Sequence, residues 1–264
     1  ALQEGVRSIR RSAMKPAGFS LVLFACMLAA LGCAPSPPPA VAPGRDFQYY
    51  MDFGTSRMRD GDYGQAAAAF GRAVEINPRS ARALNFLGIC QLHEKDYQSA
   101  RGQFEKAAAE DPSFAQAFGN LGSLDFIERK FSEARKLFEK AIQLDPRLAS
   151  AYYSLGSMLL LQGHSEDGLK YLSKGFELAP DYLEKHAAST VNFSMDEFKS
   201  SEYFFSLARL YAMVGKPEKT LEYLEKAEEA GFREWERIVS EKDFDNVRAD
   251  PRIRDFLRSK SLSD

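Results

Sequence analysis

Cysteine is scarce in this chain of 264 residues, which contains only Cys26, Cys33 and Cys90. None of the three belongs to a Cys-x-x-Cys pair or to a Cys–His set with the spacing of a zinc site. Cys26 and Cys33 lie in an apolar stretch near the N-terminus, which leaves Cys90 without a cysteine partner. The sequence therefore argues against a disulfide framework, and we expect Cys90 to be a small buried apolar side chain.

Neither the charge nor the motifs of the chain point to nucleic acid or to catalysis. Its 35 Lys and Arg residues against 37 Asp and Glu give a formal net charge of −2, without the basic excess that phosphate binding requires. The three histidines, His93, His164 and His186, have no metal-ligand spacing, and there is no nucleophile elbow, His-Glu-x-x-His motif or phosphate-binding loop. We expect no enzyme, no cofactor, no metal, no nucleic-acid partner and no small-molecule substrate.

Four prolines recur every 34 residues, at Pro78, Pro112, Pro146 and Pro180. Counted from Phe47, Ala81, Ala115 and Ala149, each unit has glycine at position 8, Phe or Leu at positions 7 and 24, and Ala or Gly at positions 20 and 27. Positions 20, 24 and 27 share one face of a helix. Proline lacks an N–H and disfavours helix in the residue before it, so it ends each unit. The pattern predicts stacked helical hairpins that end at these prolines.

This period and its landmarks resemble the tetratricopeptide repeat, most closely from Asn85 to Pro112 and from Asn120 to Pro146. The resemblance implies an all-α, right-handed α-solenoid of helix–turn–helix units. We expect a sequence of domains in which four repeats are followed by an insertion, a degenerate fifth repeat and a helical cap: 47–80, 81–114, 115–148, 149–182, 183–200, 201–232 and 233–264.

Two features of the C-terminal part lead to separate predictions. Ser194-Met195-Asp196-Glu197 has the capping-box pattern, which predicts a helix from Ser194 through about Val214. The tail contains the only tryptophan, Trp235, among other apolar residues and charges. It is interpreted as the cap that the end of a repeat array needs, with partner binding as the alternative.

The N-terminal residues have the pattern of a secretory signal, a basic segment followed by an apolar run, Phe19–Cys33, that is too short to span a membrane. Ala30-Leu31-Gly32-Cys33 resembles a bacterial lipobox, which implies lipid on Cys33, and the proline-rich tether 34–46 follows it. Met14 is the expected start, with 1–13 as an upstream extension. We expect a lipid anchor on the periplasmic side of the bacterial cell envelope, at the outer membrane. Cleavage with free secretion and an uncleaved membrane anchor are the alternatives.

The resemblance also implies a concave groove lined by first-helix positions 2, 5, 9 and 12. In repeats 1–4 and unit five, these include Gln48, Met51, Thr55, Met58, Arg82, Asn85, Ile89, Leu92, Gln116, Gly119, Ser123, Phe126, Ser150, Tyr153, Ser157, Leu160, Phe205 and Arg209. Amides and apolar side chains dominate the set, which suits an extended or helical protein segment. Position 12 has the alternative that it packs between helices.

Two function classes remain open. One is a membrane-tethered scaffold or adaptor that recruits an envelope protein, as a pilotin, an assembly factor or a hydrolase adaptor does. The other is a permanent accessory subunit of a large envelope or membrane complex, which an exposed apolar patch would favour. The two classes share a protein partner in the groove.

Overall fold

A computed structural model describes residues 46–185 and 200–262. The first of these stretches consists mainly of eight helices that pair in chain order into four hairpins. They are α1 (Phe47–Arg59), α2 (Tyr63–Ile76), α3 (Ala81–His93), α4 (Tyr97–Glu110), α5 (Ala115–Ile127), α6 (Phe131–Leu144), α7 (Ala149–Leu161) and α8 (Ser165–Leu178). All four periodic prolines lie between hairpins, so the predicted all-α solenoid is confirmed.

Short polar side chains and a left-handed turn residue set the ends of these helices. Asp46, Asp62 and Ser80 each accept a hydrogen bond from the backbone N–H three residues later, at the start of α1, α2 and α3. The turn inside each hairpin has a residue with positive φ: Gly61, Lys95, Arg129 and Gly163. Lys95 and Arg129 therefore adopt the left-handed backbone conformation, which glycine adopts at a lower cost in free energy.

Each hairpin closes where a position-8 glycine meets a position-24 side chain. A Cβ on Gly88 would lie 2.6 Å from Phe104 Cε1, and one on Gly122 would lie 2.8 Å from the corresponding atom of Phe138. The alanines at positions 20 and 27 beside these rings are fully buried in the first three hairpins. Small residues thus let the paired helices approach, and one large ring fills the space that remains.

The fifth unit differs from the prediction at its start. Its helices are α10 (Ser201–Met213) and α11 (Pro217–Glu229), after the short α9 (Tyr182–Lys185). The predicted continuous helix from Ser194 to Val214 is wrong, because Ser200 has extended backbone and its side chain caps α10 by accepting from Tyr203 N. The capping-box residues themselves lie outside the described residues.

The C-terminal tail packs on the fifth unit through α12 (Glu236–Ser240), a 3-10 turn (Lys242–Phe244) and α13 (Pro251–Ser259). Trp235 is only 7% exposed and makes edge-to-face contacts with Phe232 and Phe256. This tryptophan contributes to the core at the end of the array instead of offering a partner an aromatic surface.

Replacing Gly156 in α7 by alanine is expected to lower the free energy of unfolding by about 1–3 kcal/mol. The new methyl group would lie 2.7 Å from Leu172 Cγ and 2.9 Å from the Gly168 carbonyl oxygen. Gly102→Ala in α4 is the matched control, since a Cβ there meets nothing within 4 Å and alanine gains about 1 kcal/mol of helix propensity. Urea denaturation followed by circular dichroism measures both variants, and equal effects would contradict close packing at position 8.

Candidate functional site

The first helices of the second, third and fourth hairpins line a concave groove of about 300 Å³. Helices α3, α5 and α7 supply nearly all of the lining, and Tyr182 at the start of α9 supplies the rest. We call this surface the groove, and its lining is Asn85, Phe86, Ile89, Leu92, Gln116, Gly119, Asn120, Ser123, Ile127, Ser150, Ala151, Ser154 and Tyr182. None of these side chains is an Asp, Glu, Lys, Arg or His.

The groove has one polar edge and one aliphatic edge. Gln116 and Ser150 stand in the first turns of their helices, whereas Leu92 and Ile127 stand in the last turns of theirs. At 1.5 Å per residue, about 16 Å of α5 separates Gln116 from Ile127. A bound segment that crosses the three helices therefore meets amides and hydroxyls on one side and branched aliphatic side chains on the other.

Two asparagines meet at the bottom of the polar half. Asn120 Nδ2 donates a hydrogen bond of 2.8 Å to Asn85 Oδ1. This bond leaves the Asn85 amino group and the Asn120 carbonyl oxygen without a partner among the described residues, although Asn85 is only 3% exposed. Nearby, Ser123 Oγ donates to the Gly119 carbonyl within its own helix at 3.1 Å and keeps its lone pairs available. The pair presents one donor and one acceptor side by side.

Tyrosines fix the end of the groove at the fourth hairpin. Tyr182 stacks on Tyr153 with ring centroids 4.8 Å apart and forms a side-chain hydrogen bond with Ser150. Tyr153 Oη donates to the Ala179 carbonyl at 2.9 Å, which ties α7 to the turn after α8. Burial raises the pKa of Tyr182 to about 12, so this end of the groove carries a neutral phenol at physiological pH.

The structure brings together in the groove several residues that the sequence predicts there. Asn85 and Ile89 of α3, Gln116 and Ser123 of α5, and Ser150 of α7 all line it. Arg82 is exposed beside the groove with its guanidinium 5.5 Å from the ring of Phe86.

Other predicted lining residues belong to the core instead. Met51 packs in the first hairpin, and Phe126 is 1% exposed among the buried residues of α6 and α7. Tyr153 and Phe205 are equally inaccessible, Tyr153 behind Tyr182 and Phe205 in a stack with Phe232. These four assignments are wrong, and for Phe126 the alternative of packing between helices is correct.

Three more predicted residues lie outside the groove. Thr55 in α1 donates its hydroxyl hydrogen bond to the Asp52 carbonyl, and Ser157 forms a side-chain hydrogen bond with Tyr203 of the fifth unit. Arg209 is buried, within 2.9 Å of carboxylate oxygens of Glu166, Glu241 and Asp243. The tail thus covers the face of α10 on which Phe205 and Arg209 lie, and both assignments to the groove fail for that reason.

The groove also contains residues that the sequence analysis missed. Asn120 and Ser154 occupy position 6 of their units and Ile127 occupies position 13. A helical face advances 3.6 residues per turn, so positions 2, 6, 9 and 13 follow it as closely as positions 2, 5, 9 and 12. The helical period admits both sets of positions, and the sequence has no feature that distinguishes positions 6 and 13 from positions 5 and 12. Tyr182 had no such signal, because it follows the last regular repeat.

The Cys90 thiol and the His93 imidazole, two groups capable of catalysis in other proteins, are packed against neighbouring side chains. Burial raises the pKa of Cys90 to about 12, so the thiol is an unreactive core side chain, as predicted. His93 is stacked 3.7 Å from Tyr63, and burial lowers the pKa of its imidazole. In residues 46–185 and 200–262, no cluster of His, Cys, Asp and Glu could hold a metal ion. No helix in these ranges combines the length and the apolar composition that a membrane span requires.

Stacked hairpins with a continuous concave face define an α-solenoid of helical repeats. Models of the tetratricopeptide repeat match residues 51–115 and 149–182, and a TPR repeat model matches residues 122–163. The chain therefore belongs to the tetratricopeptide-repeat family, whose repeats mediate protein–protein interactions and are typically non-catalytic.

One solved structure has the same fold, and a second is a weaker match. TTC0263, a TPR protein of Thermus thermophilus, is 21% identical, with 74% of this chain and 96% of that chain covered at a TM-score of 0.50. MamA (41-end) of Desulfovibrio magneticus RS-1 is 20% identical, with 72% and 97% covered at a TM-score of 0.46. No curated protein matches the sequence.

Neighbouring residues of α5 should differ in their response to truncation. Phe126→Ala is expected to cost about 3–5 kcal/mol of stability, because it empties a buried site between α5, α6 and α7. Ile127→Ala, which truncates a partly buried side chain of the groove, is expected to cost less, about 1 kcal/mol. Urea unfolding of both variants tests this, and a Phe126→Ala variant as stable as Ile127→Ala would show that Phe126 is not a core residue.

Proposed function

We propose that this protein is a non-catalytic scaffold, tethered to a membrane of the bacterial cell envelope, that binds a segment of a partner protein in the groove. The observation that carries the proposal is the groove itself. It is concave and spans three repeats. Hydrogen bonds fix the side chains of lining residues on its first and last helices, such as Asn85 and Tyr182. A preformed surface of this kind loses little conformational entropy when a partner binds.

The membrane tether is the second part of the proposal, and it is argued from the sequence of the N-terminal residues. The apolar run before Cys33, the residues Ala30–Cys33 and the prolines that follow fit a lipid anchor with an extended spacer. Each buried methylene contributes about 0.8 kcal/mol, so one acyl chain holds a protein marginally and two or three hold it stably. Such an anchor would position the groove on the periplasmic side, at the outer membrane, within reach of envelope proteins.

A scaffold that also exists apart from its partner is favoured over a permanent accessory subunit. The described large apolar residues with the greatest exposure are Tyr49, Ile76, Leu144 and Met213. They lie on four different helices, α1, α2, α6 and α10. Permanent subunit interfaces are larger and more apolar than a distribution of this kind provides.

Photo-cross-linking in cells tests the groove. A benzophenone amino acid in place of Gln116, an exposed residue of the groove, is expected to form a covalent adduct with one protein partner. The same substitution at Glu105, exposed on α4 and outside the groove lining, is the matched control and should give none. Adducts at Glu105 with none at Gln116 would place partner binding on another surface and refute the proposed site.

Fractionation of cells tests the anchor. Cys33→Ala should move the protein from the membrane fraction to the soluble fraction or leave it as an unprocessed precursor without lipid, because the acylated thiol is lost. Cys26→Ala, seven residues earlier in the same apolar run, should leave both membrane association and lipid labelling unchanged. Metabolic labelling with a fatty acid gives the second readout. Equal lipid labelling of the Cys33→Ala variant and the unaltered protein would contradict the lipid anchor.

A further inference from the structure

We propose that the protein has a second binding site, which takes an uncharged oligosaccharide. The site is a cleft of about 550 Å³, lined by residues of α7, α8, α10 and the 3-10 turn of the tail, and we call it the cleft. Sites for small ligands commonly measure about 300–1,000 Å³. The cleft shares no lining residue with the groove, so this proposal goes beyond the proposed function and does not depend on it.

Two tyrosines form the aromatic part of the cleft. Tyr152 of α7 and Tyr171 of α8 line it with their ring centroids 6.4 Å apart and their planes inclined by 40°. Both side chains are partly exposed. A tyrosine combines an apolar ring with a polar hydroxyl at its edge. The ring can pack against the C–H face of a sugar while the hydroxyl forms hydrogen bonds with the hydroxyls of that sugar.

An ion pair leaves the ring of the α7 tyrosine uncovered. In the third hairpin the ring at the equivalent position, Phe118, is covered by Lys140, whose Nζ lies 3.8 Å from the ring centroid. The equivalent lysine of the fourth hairpin, Lys174, instead pairs with Glu177 at 2.7 Å. The third hairpin has Gln143 where Glu177 stands, so its lysine has no carboxylate at that position. One acidic residue thus makes the tyrosine ring available to a ligand.

The polar lining of the cleft has no net charge. Its charged side chains are three cations and three anions: Lys170, Lys174, Arg209, Glu166, Glu177 and Asp243. A charged ligand would meet groups of its own sign as well as groups of the opposite sign, and like charges placed together are unfavourable. An apolar ligand would remove charged groups from water without compensation. The lining therefore favours a ligand that is neutral and polar.

Hydroxyl groups suit this mixture of donors and acceptors. A hydroxyl donates one hydrogen bond and accepts others, so it can pair with a carboxylate or with an ammonium group. Lys174 and Glu177 place both kinds of group side by side, as two hydroxyls on neighbouring carbons of a sugar require. Ser173, which also lines the cleft, has a buried hydroxyl without a hydrogen-bond partner among the described residues. A peptide carbonyl, in contrast, cannot donate to the carboxylates.

Methyl NMR of methionine-labelled full chain, in a detergent without a sugar head group, tests the site. Met213 lines the cleft and is 38% exposed, whereas Met158 is fully buried. At least one of chitotetraose, cellotetraose and maltotetraose should shift the Met213 signal saturably and leave that of Met158 in place. Chitotetraose without its acetyl groups, which is cationic, and tetragalacturonate, which is anionic, should bind about tenfold more weakly than the best neutral sugar.

Glu177→Gln is the matched variant of the protein. It removes the ion pair and frees Lys174 to cover the tyrosine ring, as the equivalent lysine does in the third hairpin. We expect about tenfold weaker binding of the best neutral sugar, and at least the same loss for Tyr152→Ala, which removes the ring. Glu75→Gln, which removes the equivalent pair with Arg72 in the first hairpin, should leave the affinity unchanged. Circular dichroism verifies that each variant folds.

Three outcomes would overturn the inference. They are the absence of a saturable Met213 shift with every neutral tetrasaccharide at millimolar concentration, tighter binding of a charged one, and equal affinity of the unaltered protein and the Glu177→Gln and Tyr152→Ala variants. None of them bears on the cross-link at Gln116, because the cleft and the groove share no residue. The proposed function and the oligosaccharide site therefore stand or fall separately.

Discussion

The rest of the structure depends on the close approach of two helices at one glycine in every hairpin. At Gly54, Gly88, Gly122 and Gly156 the hydrogen atom in place of a side chain leaves room for the large residue at position 24. That contact sets how the second helix lies against the first, and it repeats with the 34-residue period. The first helices of successive hairpins therefore present equivalent positions to one concave surface. The groove is a consequence of this repetition, because Phe86, Asn120 and Ser154, all at position 6 of their units, reach it from three different hairpins.

The array ends where its sequence departs from the period. After the fourth hairpin, Tyr182 stacks on Tyr153 and closes the groove, and the tail then occupies the corresponding face of the fifth unit. Arg209 illustrates the change. In a groove it would be a free cation, but here it is buried among the carboxylates of Glu166, Glu241 and Asp243 and joins the fourth hairpin, the fifth unit and the tail. Tyr182 therefore bounds the groove at this end, and the rest of the lining comes from α3, α5 and α7.

The sequence predicts the fold well because the fold follows from a few constraints that recur at fixed spacing. These constraints are glycine at position 8, small residues at positions 20 and 27, and proline between units. Each has one physical role, and each can be identified from the sequence alone. The site is less predictable, since a helix face is wider than one residue. Phe126 and Ile127 are neighbours, yet the first packs against α6 and α7 while the second lines the groove. The rotation of α5 that decides between them depends on packing with other helices. Ser200 is another such case, since its cap interrupts a helix that the capping box at Ser194 predicts to be continuous.

Methyl NMR of isoleucine-labelled full chain tests most directly that the groove of the second to fourth hairpins is the binding surface. Ile89 and Ile127 line the groove, whereas Ile76 is exposed on α2 and Ile253 is buried in the tail. Adding a peptide selected on the full chain from a random display library should shift the methyl signals of Ile89 and Ile127 and leave those of Ile76 and Ile253 in place. Shifts at Ile76 or Ile253, with Ile89 and Ile127 unchanged, would contradict the account.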